Sequence, residues 1–175
     1  MSITDGFGFI HDKIDTKVLI LYVLRRLPAR IDAESLAELV LIDGGISYFD
    51  YKQCLYELVD RANVDETREG CQITAKGSHN CEILADSLPY SVRMKADKVT
   101  APVAEKMRRE AMILANHEQC EGGVTVYLAL SDGIGNIFDL KILAANEEQA
   151  VKIERSFRKN AEDYYNRFIM ELLED

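Results

Sequence analysis

Asp32-Ala33-Glu34-Ser35-Leu36-Ala37-Glu38-Leu39-Val40, then Gly44-Gly45, then Ser47-Tyr48-Phe49-Asp50-Tyr51-Lys52-Gln53-Cys54-Leu55-Tyr56-Glu57-Leu58-Val59, is the stretch on which the fold turns. Leu36, Leu39 and Val40 share one side of a short helical pattern that Asp32 can cap. The double glycine is turn chemistry, and a longer helical pattern runs from Ser47 to Ala62. A short helix and a turn before a longer helix is the unit that sets a helix into the DNA major groove.

Upstream, Asp12 to Arg26 repeats Ile14, Val18, Leu21 and Leu24 at three- and four-residue steps and stops near Pro28, so a first helix is expected there. Ile31 is placed as a one-residue strand. Downstream, Val64 to Arg68 and Cys71 to Thr74 read as a short hairpin turning at Glu69-Gly70. Thr74 caps a further helix whose apolar side is Ile83, Leu84 and Leu88. Residues 1–89 are therefore predicted to be a winged helix-turn-helix domain, closed at Ser87-Leu88-Pro89.

The chain changes character after Pro89. Val92, Ala96, Val99, Val103, Met107, Ala111 and Leu114 predict a helix to about Asn116, interrupted or kinked at Pro102. Val124 to Ser131 alternates as a half-buried strand. Asp132-Gly133-Ile134-Gly135-Asn136 is a turn, and Ile137 to Ala144 returns. Asn146 and Gln149 form a capping box for a last helix of about 40 Å at ~1.5 Å per residue. Residues 90–175 are thus a helix–β-hairpin–long helix segment, and the class is α+β, mostly helical. The long amphipathic helix and the lone hairpin offer more apolar surface than this segment covers. Homodimerisation is therefore expected, with Phe157, Tyr164 and Phe168 as anchors.

The chain of 175 residues has net charge −9, from 21 Lys and Arg against 30 Asp and Glu. Residues 1–89 carry 9 basic and 15 acidic side chains, a net of −6, whereas residues 90–175 carry −3. Basic side chains supply most non-specific DNA affinity, so tight, salt-tolerant binding is not expected of the first half. The segment from Arg93 to Arg109 is locally basic. No apolar run approaches the length of a membrane span, and Met1 to Gly6 lacks the features of a secretory leader, so a cytoplasmic location is expected. Cys54, Cys71, Cys81 and Cys120 have no paired spacing and read as free thiols.

On a helical wheel centred on Leu55, the positions Tyr48, Tyr51, Leu58, Val59 and Ala62 form the inward stripe of the third helix. Asp50, Gln53, Glu57 and Asp60 lie opposite, with Lys52 at the edge. If the helix enters a groove, Ser47, Tyr48, Lys52 and Gln53 are the DNA-contacting residues, and Arg68 reaches phosphate from the wing. His79 with Cys81 and His117 with Cys120 lack the two paired ligand sets of a structural zinc site, so no metal is expected. Gly133-Ile134-Gly135 joins two strands and is a hairpin turn rather than a dinucleotide loop. No phosphate-binding loop, nucleophile elbow or zinc-protease motif occurs. Neither an enzyme nor a cofactor is expected.

Asp12 to Tyr22, Ser47-Tyr48-Phe49, Leu55-Tyr56-Glu57-Leu58-Val59 and Ile73-Thr74-Ala75-Lys76-Gly77 together resemble a bacterial family known as a domain of unknown function with an N-terminal winged helix. The first half is also similar, more loosely, to PadR-type and MarR-type regulators. The resemblance implies a DNA-binding transcriptional regulator and brings no catalytic residues. Those regulators carry a basic recognition helix and wing, whereas Asp50, Glu57 and Asp60 stand on this one. The rival expectation is a winged-helix module that docks a basic protein partner through its acidic third helix.

Overall fold

The computed structural model describes residues 12–42 and 44–174. Met1 to Gly6, on which the leader reading rests, lie outside them. The chain forms two compact units, Met1–Met107 and Arg108–Asp175. Six α-helices and two small antiparallel sheets among the described residues make it an α+β protein, mostly helical.

In the first unit, α1 (Lys13–Leu24) starts at Asp12, whose carboxylate accepts from the Ile14 amide at 2.8 Å. Nearly every residue from Val18 to Leu24 is buried, so α1 is the central helix of the core. Helix α2 (Ala33–Val40) is capped by Asp32, which accepts from the Glu34 and Ser35 amides. Those amide hydrogen bonds, chiefly from Ser35, hold the Asp32 carboxyl below its usual range. Helix α3 (Tyr48–Asp60) is capped by Ser47. Strands β1 (Val64–Thr67) and β2 (Gly70–Ile73) pair with Val64 opposite Ile73 and Thr67 opposite Gly70. Ile31 bridges Cys71 as the expected one-residue strand.

Two glycines make this corner possible. Gly70 has φ +120°, and a Cβ there would stand 2.5 Å from the Ile31 carbonyl oxygen. Gly77, in the first turn of α4 (Ala75–Leu84), meets the Asn63 carbonyl oxygen at 2.1 Å from the same imagined Cβ. Only glycine lets the two backbones approach so closely.

Several sequence expectations change here. Ile83 is 65 % exposed, and α4 packs through Gly77 and Cys81 instead, while Leu88, just past the 3₁₀ turn Ala85–Ser87, is buried. Helix α5 (Tyr90–Ala111) runs unbroken through Pro102, which is exposed, so the missing N–H costs one hydrogen bond without ending the helix. Val92, Ala96, Thr100 and Ala104 are buried in the first core, so this unit extends past Pro89 to Met107.

The second unit is a three-stranded antiparallel sheet, in the order β3 (Ile113–Cys120), β4 (Gly123–Ser131), β5 (Asn136–Ala144), with α6 (Glu147–Leu173) against one face. Strand β3 replaces both the last turns of the expected helix and the expected two-stranded hairpin. Its inward positions are Ile113, Ala115 and His117, and the His117 Nδ1 lies 2.7 Å from a Glu154 carboxylate oxygen on α6. A small residue and a histidine on the buried face leave no apolar alternation to read. The buried face of β4, with Val124, Val126, Leu128 and Leu130, packs with Ala150, Phe157 and Ala161. Asn146 caps α6 by accepting from the Gln149 amide at 2.9 Å. The helix is not one straight rod: Asn160 has φ −133° and ψ 28°, and its side-chain amide donates to the Ser156 carbonyl at 3.1 Å.

All four cysteines are free, with Cys54, Cys71 and Cys81 buried and Cys120 exposed. Burial pushes the Cys71 thiol up to about 11 and raises Cys54 and Cys81 as well. Since the thiolate is the reacting form, a disulfide reagent at pH 8 should titrate Cys120 rapidly and the other three only on unfolding. A Cys120→Ser variant that keeps a fast-reacting thiol would contradict this burial pattern.

Candidate nucleic-acid interface

Helix α3 and the β1–β2 turn bring the sequence-predicted residues to the surface of the first unit in different conditions. Ser47 is tied into the cap, its Oγ accepting from the Asp50 amide at 3.0 Å and donating to the Asp50 carboxylate at 2.6 Å. Tyr48, read as part of the inward stripe as well as a contact residue, is 51 % exposed. The buried stripe is Tyr51, Cys54, Leu55 and Leu58, an i, i+3, i+4, i+7 set, so the wheel is rotated toward Cys54. Tyr51 is fully buried, and its hydroxyl donates to the Ala33 carbonyl at 2.8 Å, locking α3 to the start of α2. Val59 is half-buried, and Ala62 is exposed beyond the helix, at φ +54°.

The face opposite that stripe is less acidic than the wheel implies. The Glu57 carboxylate is gripped by Lys17 of α1, which holds it below the usual carboxylate range. Gln53 accepts from Lys13 Nζ at 2.8 Å and donates to Glu57 at 3.2 Å, so this expected base-reading amide is engaged with α1 and its own helix. No wheel drawn on α3 alone could show either contact, because both donors lie 40 residues upstream.

What α3 presents outward is largely aromatic: Tyr48, Phe49 at 75 % exposure and Tyr56 at 72 %. Lys52 sits among them, its ammonium 5.5 Å from the Tyr48 ring centroid, within cation–π reach. Arg68 is exposed at the hairpin turn. Neither Lys52 nor Arg68 makes an ion pair among the described residues. Five other cations of this unit are committed to carboxylates: Lys17 to Glu57, Arg25 to Glu82, Arg26 to Asp97, Arg30 to Asp65 and Arg93 to Asp86. The surface offers Lys52 among the aromatic side chains of α3 and Arg68 at the hairpin turn.

The expected dimer anchors separate in the same way. Phe157 is 2 % exposed in its own unit's core, stacked against Phe138 and Tyr164 with ring centroids 6.0 and 6.3 Å away. A side chain so enclosed has no surface to give a second copy. Tyr164 and Phe168 are 37 % and 46 % exposed.

These features define a two-unit, mostly helical α+β protein with its first core built on α1 and an exposed aromatic third helix. By sequence, the chain belongs to the family described as Domain of unknown function (DUF4364), whose model matches residues 16–173. No curated protein and no solved structure matches it. No helix among the described residues is long and apolar enough to cross a membrane.

Proposed function

We propose that the first unit is a winged helix-turn-helix and that the protein is a DNA-binding transcriptional regulator. The observation that carries this reading is the order α1, Ile31, α2, α3, β1, β2, in which the Ile31–Cys71 bridge ties the hairpin back to the start of α2. That order is the docking unit of helix-turn-helix proteins with a wing appended. The pairing of Glu57 with Lys17 removes one of the three carboxylates that argued against a groove. In this reading Ser47 and Tyr48 lie at base edges, while Lys52 and Arg68 meet phosphate.

The regulator is proposed to act in the cytoplasm as a homodimer, matching a two-fold DNA site. Because Phe157 is enclosed, the contact surface moves to the last turns of α6. There Ile169, Met170, Leu172 and Leu173 are 38 %, 60 %, 63 % and 78 % exposed.

Selection from random duplexes at about 50 mM salt, where attraction is only partly screened, tests the reading. Enrichment of a palindrome supports it, and enrichment of nothing overturns it. On the enriched site, Lys52→Ala and Arg68→Ala should each weaken binding several-fold at all sequences alike and lower the salt dependence, as the loss of about one phosphate contact does. Gln53→Ala should change little, since its amide is already held by Lys13. A Gln53→Ala variant with relaxed base preference would show that this amide leaves Lys13 to read DNA.

A second reading has its own observation. Phe49 and Tyr56 present large rings to solvent, and aromatic side chains are enriched where proteins bind proteins. A winged-helix module that docks a protein partner on α3 remains the alternative, with an aromatic rather than an acidic contact face. It predicts that Phe49→Ala and Tyr56→Ala abolish partner binding while leaving the fold intact.

A further inference from the structure

The face of the sheet in the second unit is not fully covered by α6. Between β4, β5 and the two halves of the kinked helix lies a half-open cavity of about 460 Å³. That is inside the range of roughly 300–1,000 Å³ typical of small-molecule sites. Its walls are apolar: Leu140 and Ile142 from β5, Ile153 and Phe157 from the first half of α6, and Phe168 from the second. Phe138 forms the hub of the lining, with rings of Phe157 and Phe168 at 6.0 and 5.8 Å. The break at Asn160 separates Ser156 from Tyr164, yet their hydroxyls meet at 2.7 Å across it. The kink is therefore pinned on the cavity side by a hydrogen bond, and side-chain insertion into a helix ladder is a known cause of such kinks.

The polar groups on the rim have one chemistry in common. Gln149, Lys152 and Ser156 follow one another at three- and four-residue steps, so they lie along one side of α6. The Gln149 carbonyl is already taken, accepting from the Ala145 amide at 2.7 Å, which leaves its NH₂ as a donor. Lys152 has donors only, and its contact with Glu148 is an exposed i, i+4 pair of the kind that contributes little. In the Ser156–Tyr164 pair one hydroxyl spends its proton on the other, so one O–H is left to give. No acidic side chain is among the residues lining the cavity. The free hydrogen-bonding capacity is thus weighted to donors, beside a cation, at the edge of an apolar chamber.

We infer that this cavity is a binding site for a hydrophobic carboxylic acid, its acyl or aryl body among Phe138, Ile142 and Phe157 and its carboxylate at Lys152, Gln149 and the Ser156–Tyr164 pair. The acid would join the two halves of α6 to the sheet across the Asn160 break. Nothing in this inference depends on DNA binding by the first unit.

The test uses the full chain, with decanoate as the acid and methyl decanoate as its uncharged counterpart, followed by calorimetry and thermal unfolding. One decanoate should bind per chain and raise the unfolding temperature, with the ester bound about tenfold more weakly, the factor expected for one charge-assisted hydrogen bond. Lys152→Met, a change at an exposed position, should weaken decanoate by a similar factor and leave the ester unaffected. Tyr164→Phe should weaken decanoate while keeping the ring. Ile142→Trp, which fills the chamber, should abolish binding of both, and a circular dichroism spectrum like that of the parent chain shows that it folds. Absence of binding at about 1 mM decanoate, weaker than ~4 kcal/mol, overturns the inference. So does binding that Lys152→Met and Ile142→Trp leave intact. A chain that is dimeric without any acid present and becomes monomeric on Ile142→Trp overturns it too, because a second copy then occupies the cavity.

Discussion

Phe157→Ala is expected to destabilise the second unit by about 3–5 kcal/mol, the usual loss for a truncated core phenylalanine. Phe157 is 2 % exposed and lies between the rings of Phe138 and Tyr164. The substitution removes one ring from an aromatic stack. The loss should be the same at every protein concentration, because the side chain packs within its own chain. Hydrogen exchange of the β4 and β5 amides across a urea series, at low and high protein concentration, measures it. A loss that shrinks as the protein is diluted would restore Phe157 to the dimer interface where the helical stripe first placed it.

Gly77→Ala is expected to cost about 3 kcal/mol in the first unit, at the upper end of overpacking changes. The new methyl carbon would stand 2.1 Å from the Asn63 carbonyl oxygen, well inside contact distance. That oxygen also accepts from the Thr74 amide and hydroxyl, both at 3.1 Å, so it cannot retreat without breaking the start of α4. Gly135→Ala is the control: nothing lies within 4 Å of its Cβ, and its effect should stay within about 0.5 kcal/mol. Denaturant midpoints of the two variants compare them directly. Equal stabilities would mean that the loop at Asn63 moves freely, contrary to its hydrogen bonding.

Some features were legible because each rests on a local rule. Asp12, Asp32, Thr74 and Asn146 all cap helices where the sequence placed them, since a side-chain oxygen followed by free amides is a complete signal within four residues. Strand β4 was visible through alternation, and β5 as its return across the turn at Asp132 to Asn136. The half-buried edge position of Lys52 and the exposed turn position of Arg68 followed from helix phase and turn position. The reading failed where the signal was not local. Strand β3 has polar and small side chains on its buried face, made tolerable by Glu154 on α6, 37 residues from His117. Cys54 was counted as a thiol rather than as a small apolar residue, which rotated the inward stripe of α3 toward Tyr48.

By itself, the amino-acid sequence determined the mostly helical α+β class, the positions of the caps and turns, and the net acidity of the first half. These depend on backbone hydrogen bonding, side-chain periodicity and the count of charges, all of which act over short stretches or need no geometry. Only the tertiary structure decided which of those charges and rings are free. It placed Lys13 and Lys17 against Gln53 and Glu57, enclosed Phe157 while leaving Phe168 half-exposed, carried the first core on to Met107, and broke α6 at Asn160 over an apolar chamber. Each is a contact between segments far apart in the chain. Its energy exists only once the backbone has brought them together.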